Sequence, residues 1–110
     1  EAEAWDGVAL IIAYAPCIAH GIDMRDVQEI EKKAVQCGYF PLYRYHPANG
    51  LMLDSKAPDG DFQAFLRRQG RFAALRRSDP AKSETLCKMA EEAARRRWNL
   101  LKMLKNREMT

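Results

Sequence analysis

Cys17 stands in the stretch Ala15-Pro16-Cys17-Ile18-Ala19-His20-Gly21, directly after the apolar run Val8-Ala9-Leu10-Ile11-Ile12-Ala13-Tyr14. A thiolate on a loop, with Pro before it and Gly after it, is a candidate metal or iron–sulfur-cluster ligand. His20 follows three residues later. Nucleophile and base are rarely sequence neighbours, and no third group is placed to orient this pair, so no catalytic residue is assigned. His20 is read instead as lining a cofactor pocket or satisfying loop backbone groups. The other two cysteines, Cys37 and Cys87, form no CxxC pair with each other or with Cys17. An odd, sparse set excludes a disulfide scaffold and fits reduced thiols in a cytoplasmic protein. Any cluster held by Cys17 must therefore borrow its remaining ligands from elsewhere. No GxGxxG or GxxxxGK[ST] loop is present to cradle phosphates. Asp54 and Asp59 bracket a loop and read as turn caps, and His46 before Pro47 reads as a surface residue.

The chain has 110 residues, enough for one domain with a modest core, and its 47% hydrophobic content argues against disorder. The longest apolar run is too short to span a bilayer, so no membrane segment is expected. The acidic start Glu1-Ala2-Glu3-Ala4 is unlike a signal peptide. Glu1 to Trp5 reads as the last turn of a helix stopped by Asp6-Gly7, and so as a piece of a longer protein. A net charge of +3 is mild for a nucleic-acid binder. The aromatic residues are not interleaved with Arg67, Arg68, Arg71, Arg76, Arg77, Arg95, Arg96 and Arg97 as stacking platforms require. Those arginines read as a solvated helix face, or as a docking surface for an acidic partner.

The elements that must position Cys17 follow from hydrophobic pattern. Residues 8–14, apolar and rich in β-branched side chains, read as a strand buried on both faces of a parallel sheet, with Cys17 at its carboxyl end, where open α/β sheets bind cofactors. Asp23 and Asp26 open a helix through Val27, Ile30 and Ala34, with Gly38 as its stop and Cys37 as a small buried hydrophobe. Residues 40–45 read as a second strand, limited by Pro41 to an edge or a strand start. The expectation is an α/β fold. Residues 1–47 form one right-handed βαβ unit with parallel strands, 48–79 form a loop and short helices, and 80–106 form a long helix. Within the middle segment, 51–54 reads as a short extended piece, and Phe62, Phe65 and Leu66 pack a helix over 61–67 that Gly70 breaks. Asp79-Pro80 supplies a cap and a first helical proline. Leu86, Ala90, Ala94, Trp98 and Leu101 line one face of the last helix, which is long enough to lie across a neighbouring domain or subunit.

The Cys17 segment, together with Gly38-Tyr39-Phe40-Pro41-Leu42-Tyr43-Arg44-Tyr45-His46-Pro47, Leu53-Asp54-Ser55-Lys56-Ala57-Pro58, Arg71-Phe72-Ala73-Ala74-Leu75 and Ala93-Ala94-Arg95-Arg96-Arg97-Trp98, resembles the carboxyl end of the pyruvate:ferredoxin (flavodoxin) oxidoreductases. The resemblance runs in order over nearly the whole chain. It implies the end of a thiamine-diphosphate-binding domain in a homodimeric enzyme. That enzyme decarboxylates pyruvate on thiamine diphosphate and Mg2+, sends electrons through [4Fe-4S] clusters to ferredoxin or flavodoxin, and passes the acyl group to coenzyme A. It implies that Cys17 is the fourth ligand of the [4Fe-4S] cluster nearest the thiamine. The family's other three ligands, its Gly-Asp-Gly segment and the Asn that holds magnesium and diphosphate have no counterpart in this chain. The isolated chain is thus expected to bind neither cofactor stably and to need the remainder of a parent polypeptide. Cys37 and Cys87 match no ligand of the family. The competing reading is a standalone protein-interaction module with a basic carboxyl-terminal helix.

Overall fold

The computed structural model describes residues 1–108. The order is a 3-10 turn at Ile18–His20, a second at Met24–Asp26, helix α1 (Val27–Gln36), strands β1 (Tyr43–His46) and β2 (Gly50–Leu53), then helices α2 (Phe62–Arg67), α3 (Gly70–Ser78) and α4 (Pro80–Glu108).

Local chemistry sets most boundaries. The Asp23 side chain accepts from the Arg25 amide at 2.9 Å and opens the second 3-10 turn, which runs straight into α1. Ile30 and Ala34 bury one face of α1. Gly38, at φ 86°, ends it, and its N–H donates to Val35 O at 3.3 Å. Asp61 caps α2 by accepting from the Ala64 amide at 3.0 Å, and Asp79 caps α4 through the Lys82 amide at 3.1 Å, ahead of Pro80. Phe62, Phe65 and Leu66 of α2 meet Ile30 and Ala34 of α1, Cys37 at its end and Ala94 of α4 in the main core. Tyr14, Ile22, Tyr39, Phe40, Phe72 and Cys87 close around it.

The expected parallel βαβ unit is not what the described residues form. Residues 8–14 join no ladder, and Val8, Leu10, Ile11 and Ile12 are 67–95% exposed. The second expected strand begins later, at Tyr43, and pairs antiparallel with β2 in the register Tyr43↔Leu53, Arg44↔Met52, Tyr45↔Leu51 and His46↔Gly50. Asn49 N–H donates to His46 O at 3.0 Å, and Gly50 takes the left-handed φ of 75° that a three-residue hairpin loop requires. The physical reason is distance along the chain. A tight loop brings 50–53 to β1 at small entropic cost, whereas an inner parallel strand needs neighbours on both sides, and the described residues form a single two-stranded hairpin. The amino-terminal residues form successive turns instead of a helix, with Ala4 N–H on Glu1 O at 3.1 Å and Trp5 N–H on Ala2 O at 3.4 Å. They lie on the hairpin: Arg44 bridges Glu1 and Asp54, each at 2.9 Å, and Trp5 meets His46 edge-on at 5.0 Å.

The long carboxyl-terminal helix exists, but its buried stripe differs from the expected one. Ser83, Ala94, Trp98 and Leu101 are buried and Cys87 half-buried, while Leu86 and Ala90 face solvent. Counting back seven residues, two helical turns, from Ala94 reaches Cys87, so the packing of Ala94 on α2 sets the phase and carries Leu86 out. β2 lies against α4, with Leu51 buried on the strand and Trp98 and Leu101 on the helix.

Candidate functional site

Cys17 has an extended backbone, φ −136° and ψ 152°, and caps the first 3-10 turn. Its carbonyl accepts from His20 N–H at 2.9 Å, and Ile18 O accepts from Gly21 N–H at 2.9 Å. Pro16 before it is buried, whereas Cys17, Ile18 and Ala19 are exposed. The thiol therefore stands free on a turn whose base is fixed.

What fixes that base is a contact between two glycines. Gly70 N–H donates to Gly21 O at 3.0 Å, and a Cβ on Gly21 would lie 2.5 Å from Gly70 Cα. Gly21 also has a left-handed φ of 74°. Both the conformation and the space demand glycine here. The turn is thereby docked onto the start of α3, and Gln69, which precedes Gly70, is 1% exposed. Gln69 Oε1 accepts from Arg71 Nε at 2.8 Å. Arg71 also donates from Nη2 to Tyr39 Oη at 3.1 Å and covers the Phe72 ring at 4.6 Å. Tyr14 completes the wall against Tyr39 and Phe40, at ring-centre distances of 5.8 and 5.6 Å. Burial pushes the Tyr14 phenol above its ordinary pKa, with the neighbouring Tyr39 adding to the effect.

Among the described residues three buried side-chain polar atoms lack a hydrogen-bond partner: His20 Nδ1, Gln69 Nε2 and Tyr14 Oη. Tyr14 and His20 sit three residues either side of Cys17, and Gln69 lies across the glycine contact. Of the three thiols only that of Cys17 is exposed, so it is the one that a metal or cluster held outside this chain could reach. No group of three metal-ligating side chains occurs among the described residues, and no phosphate loop occurs in the sequence.

The other sequence-singled residues are placed elsewhere. Cys37 is buried in the core, its Sγ 3.7 Å from Ala34 O, and burial pushes its thiol up. Cys87 is half-buried on α4, with its carbonyl accepting from Gln63 Nε2 at 3.1 Å. His46 Nδ1 accepts from the Ala48 amide at 3.0 Å and shapes the hairpin loop. Asp54 pairs with Arg44 instead of capping the turn through its side chain. The arginine clusters divide: Arg71 and Arg97 serve the Tyr39 neighbourhood, the latter through Tyr39 O at 3.0 Å, while Arg76, Arg77, Arg95 and Arg96 are exposed. Sequence reading missed Gln69 and the Gly21–Gly70 contact. Each glycine carried a local signal, but no local pattern tells that the two touch.

Comparison with known proteins finds the chain similar to a segment of one class of enzymes, named as oxidoreductases. The enzymes in question are the pyruvate:ferredoxin and pyruvate-flavodoxin oxidoreductases, and the chain matches a segment of them, at 39–46% identity over 94–100% of its length. It is similar to the pyruvate:ferredoxin oxidoreductase of Moorella thermoacetica, 46% identical over 110 residues that make up 94% of this chain and 9% of the relative. It is also similar to the pyruvate-flavodoxin oxidoreductase of Klebsiella pneumoniae, 43% identical over 98% of this chain and 10% of the relative. A third relative is the mitochondrial NADP(+) pyruvate dehydrogenase of Euglena gracilis, 43% identical over 78% of this chain and 5% of the relative. The chain thus spans about a tenth of the length of the curated relatives it matches. No protein-family model matches it.

Proposed function

We propose that this chain is the part of a pyruvate:ferredoxin (flavodoxin) oxidoreductase that closes its thiamine-diphosphate-binding domain and supplies, through Cys17, the fourth ligand of the [4Fe-4S] cluster nearest the thiamine. The carrying observation is the free thiol on a glycine-pinned turn, directly after an apolar stretch that no ladder covers. In the complete enzyme thiamine diphosphate, held with Mg2+ by upstream residues, supplies the chemistry that decarboxylates pyruvate to an acyl group bound for coenzyme A. This segment's contribution is positional. Cys17 would hold iron as thiolate, and the buried Pro16 and the Gly21–Gly70 contact would fix the turn that carries it, with the cluster supplying the path for electrons toward ferredoxin or flavodoxin. Residues 8–14 would serve as an inner strand once the parent polypeptide provides neighbours, in a homodimeric, cytoplasmic enzyme.

Two bulk quantities support dependence on a larger body. A self-contained monomer of 12.6 kDa exposes about 6,200 Å2, whereas this chain exposes 8238 Å2. Its radius of gyration is 16.4 Å, against about 13 Å for a compact domain of this size. The excess area, about 2,000 Å2, matches an obligate interface. Among the described residues no helix is long and apolar enough to cross a membrane.

The test is Cys17→Ala in the full polypeptide that carries this segment. Expected are loss of one [4Fe-4S] signal in electron paramagnetic resonance, about four fewer irons per chain, and abolished ferredoxin reduction with thiamine diphosphate still bound. A variant with full iron content and normal ferredoxin reduction would overturn the assignment.

A further inference from the structure

The last helix is apolar on more than the face it buries. Leu86, Met89, Leu100, Met103 and Leu104 of α4 are 39–67% exposed. Leu86, Ala93 and Leu100 each directly precede a member of the inward-facing stripe, Cys87, Ala94 and Leu101. One residue step of about 100° therefore sets a second stripe beside the first. Met89, Arg96 and Leu104 fall on it too, three or four residues from those three.

Arg96 is the charge in the middle of this second stripe. It is exposed, and among the described residues no carboxylate pairs with it. Other charges of α4 are engaged within the chain. Glu84 holds Lys88 at 3.1 Å, Glu91 accepts from Gln63 at 2.8 Å, and Arg97 donates to Tyr39 O at 3.0 Å. An unpaired arginine flanked by Met89, Ala93, Leu100 and Met103 has the composition of an interface centre, not of a solvated face. Over residues 80–106 the helix carries seven Lys or Arg against three Glu. Two-fold pairing of the stripe with itself, parallel or antiparallel about its midpoint, would set Arg96 against its own counterpart, and like-charge repulsion opposes that. Charge therefore selects an acidic partner over a second copy.

The chain spans about a tenth of the length of its relatives, and it exposes about 2,000 Å2 more than a self-contained monomer of its mass. Resting on the reading of the chain as one part of a longer polypeptide, we propose that the Leu86–Leu104 stripe of α4 docks an apolar surface of that polypeptide, outside these 110 residues, which carries an Asp or Glu carboxylate opposite Arg96. The apolar side chains supply the burial, and the Arg96 pair fixes the register along the helix.

The experiment uses the full polypeptide that carries this segment. Arg96→Lys places an amine where a zero-length carbodiimide joins it to a facing carboxylate, and mass spectrometry locates the product. Expected is a cross-link from position 96 to an Asp or Glu outside these 110 residues. In the unsubstituted polypeptide, peroxide should oxidise Met89 and Met103 on the order of ten-fold more slowly in the native state than in urea. Arg96→Glu should raise those native rates, whereas Lys102→Glu, on the opposite side of the helix, should not. Oxidation at the unfolded rate would overturn the proposal, because the stripe would then face solvent. So would protected methionines with no cross-link from position 96, or with one to Glu92 alone, since either removes the acidic partner. Cross-links only between two copies of α4 would assign the stripe to self-association and overturn it equally. Cys17→Ala separates the two levels: a cluster that survives it defeats the ligand assignment and leaves the docking intact, whereas a cluster that needs Cys17 beside a freely oxidised stripe defeats only this inference.

Discussion

Surroundings distinguish the three thiols. Cys17 is exposed, Cys87 half-buried and Cys37 buried. Burial holds the Cys37 proton more tightly in the folded chain than in the unfolded one. The stabilisation from this raised value is complete below the ordinary thiol pKa and is lost as pH rises through the folded one. Timed alkylation followed by mass spectrometry should therefore label Cys17 first, Cys87 more slowly and Cys37 last, with Cys37 still lagging in mildly alkaline buffer; early labelling of Cys37 would contradict the packing. Gly21 is the second residue-scale case. Gly21→Ala forces a left-handed φ of 74° on a residue with a Cβ and drives that Cβ to 2.5 Å from Gly70 Cα. The conformation alone costs about 1–2 kcal/mol, and the clash adds to it. Hydrogen exchange should speed up at His20 and Gly70, with unchanged protection in α2.

At the scale of elements, ends were more legible than partners. Asp79-Pro80 and Gly38 act within four residues of themselves, and each boundary falls where those types put it, while Asp61, read as the first residue of its helix, stands just outside it as the cap. Asp79→Ala should lower stability by about 1 kcal/mol, read as a lower urea midpoint with an unchanged slope, while Lys82→Ala, which keeps the amide that Asp79 binds, should change little. The strands went the other way. The alternation at 40–45 marked a strand, but nothing local tells whether its ladder partner lies at 8–14 or at 50–53. In α4 the helix was legible and its rotation was not, because Ala94 packing on α2 chose the buried face.

The whole molecule is elongated, 49 × 29 × 22 Å, with its most apolar segment in solvent. Val8, Leu10, Ile11 and Ile12 bury little within the chain, so Ile12→Asp should shift the stability of the 110-residue chain by less than about 0.5 kcal/mol. In the full polypeptide the same change would put a charge into an inner strand and should sharply reduce soluble, cofactor-loaded enzyme. Equal tolerance in both would show that 8–14 is not buried in the parent. An uncovered patch of this kind is also an association hazard. The isolated chain should bind an apolar dye, and Leu10→Lys with Ile12→Lys should reduce that binding.

The sequence by itself determined what short-range physics governs: the Asp79 cap, the Gly38 stop, the apolar face of α2, the long last helix, and a thiol on a loop after an apolar run. Tertiary structure alone decided which strands pair, which stripe of α4 is buried, and that the Cys17 turn docks on α3 through Gly21 and Gly70. The division has one cause. A cap or a turn is closed by atoms a few bonds away, whereas a ladder, a helix phase or a backbone contact depends on where distant segments come to rest.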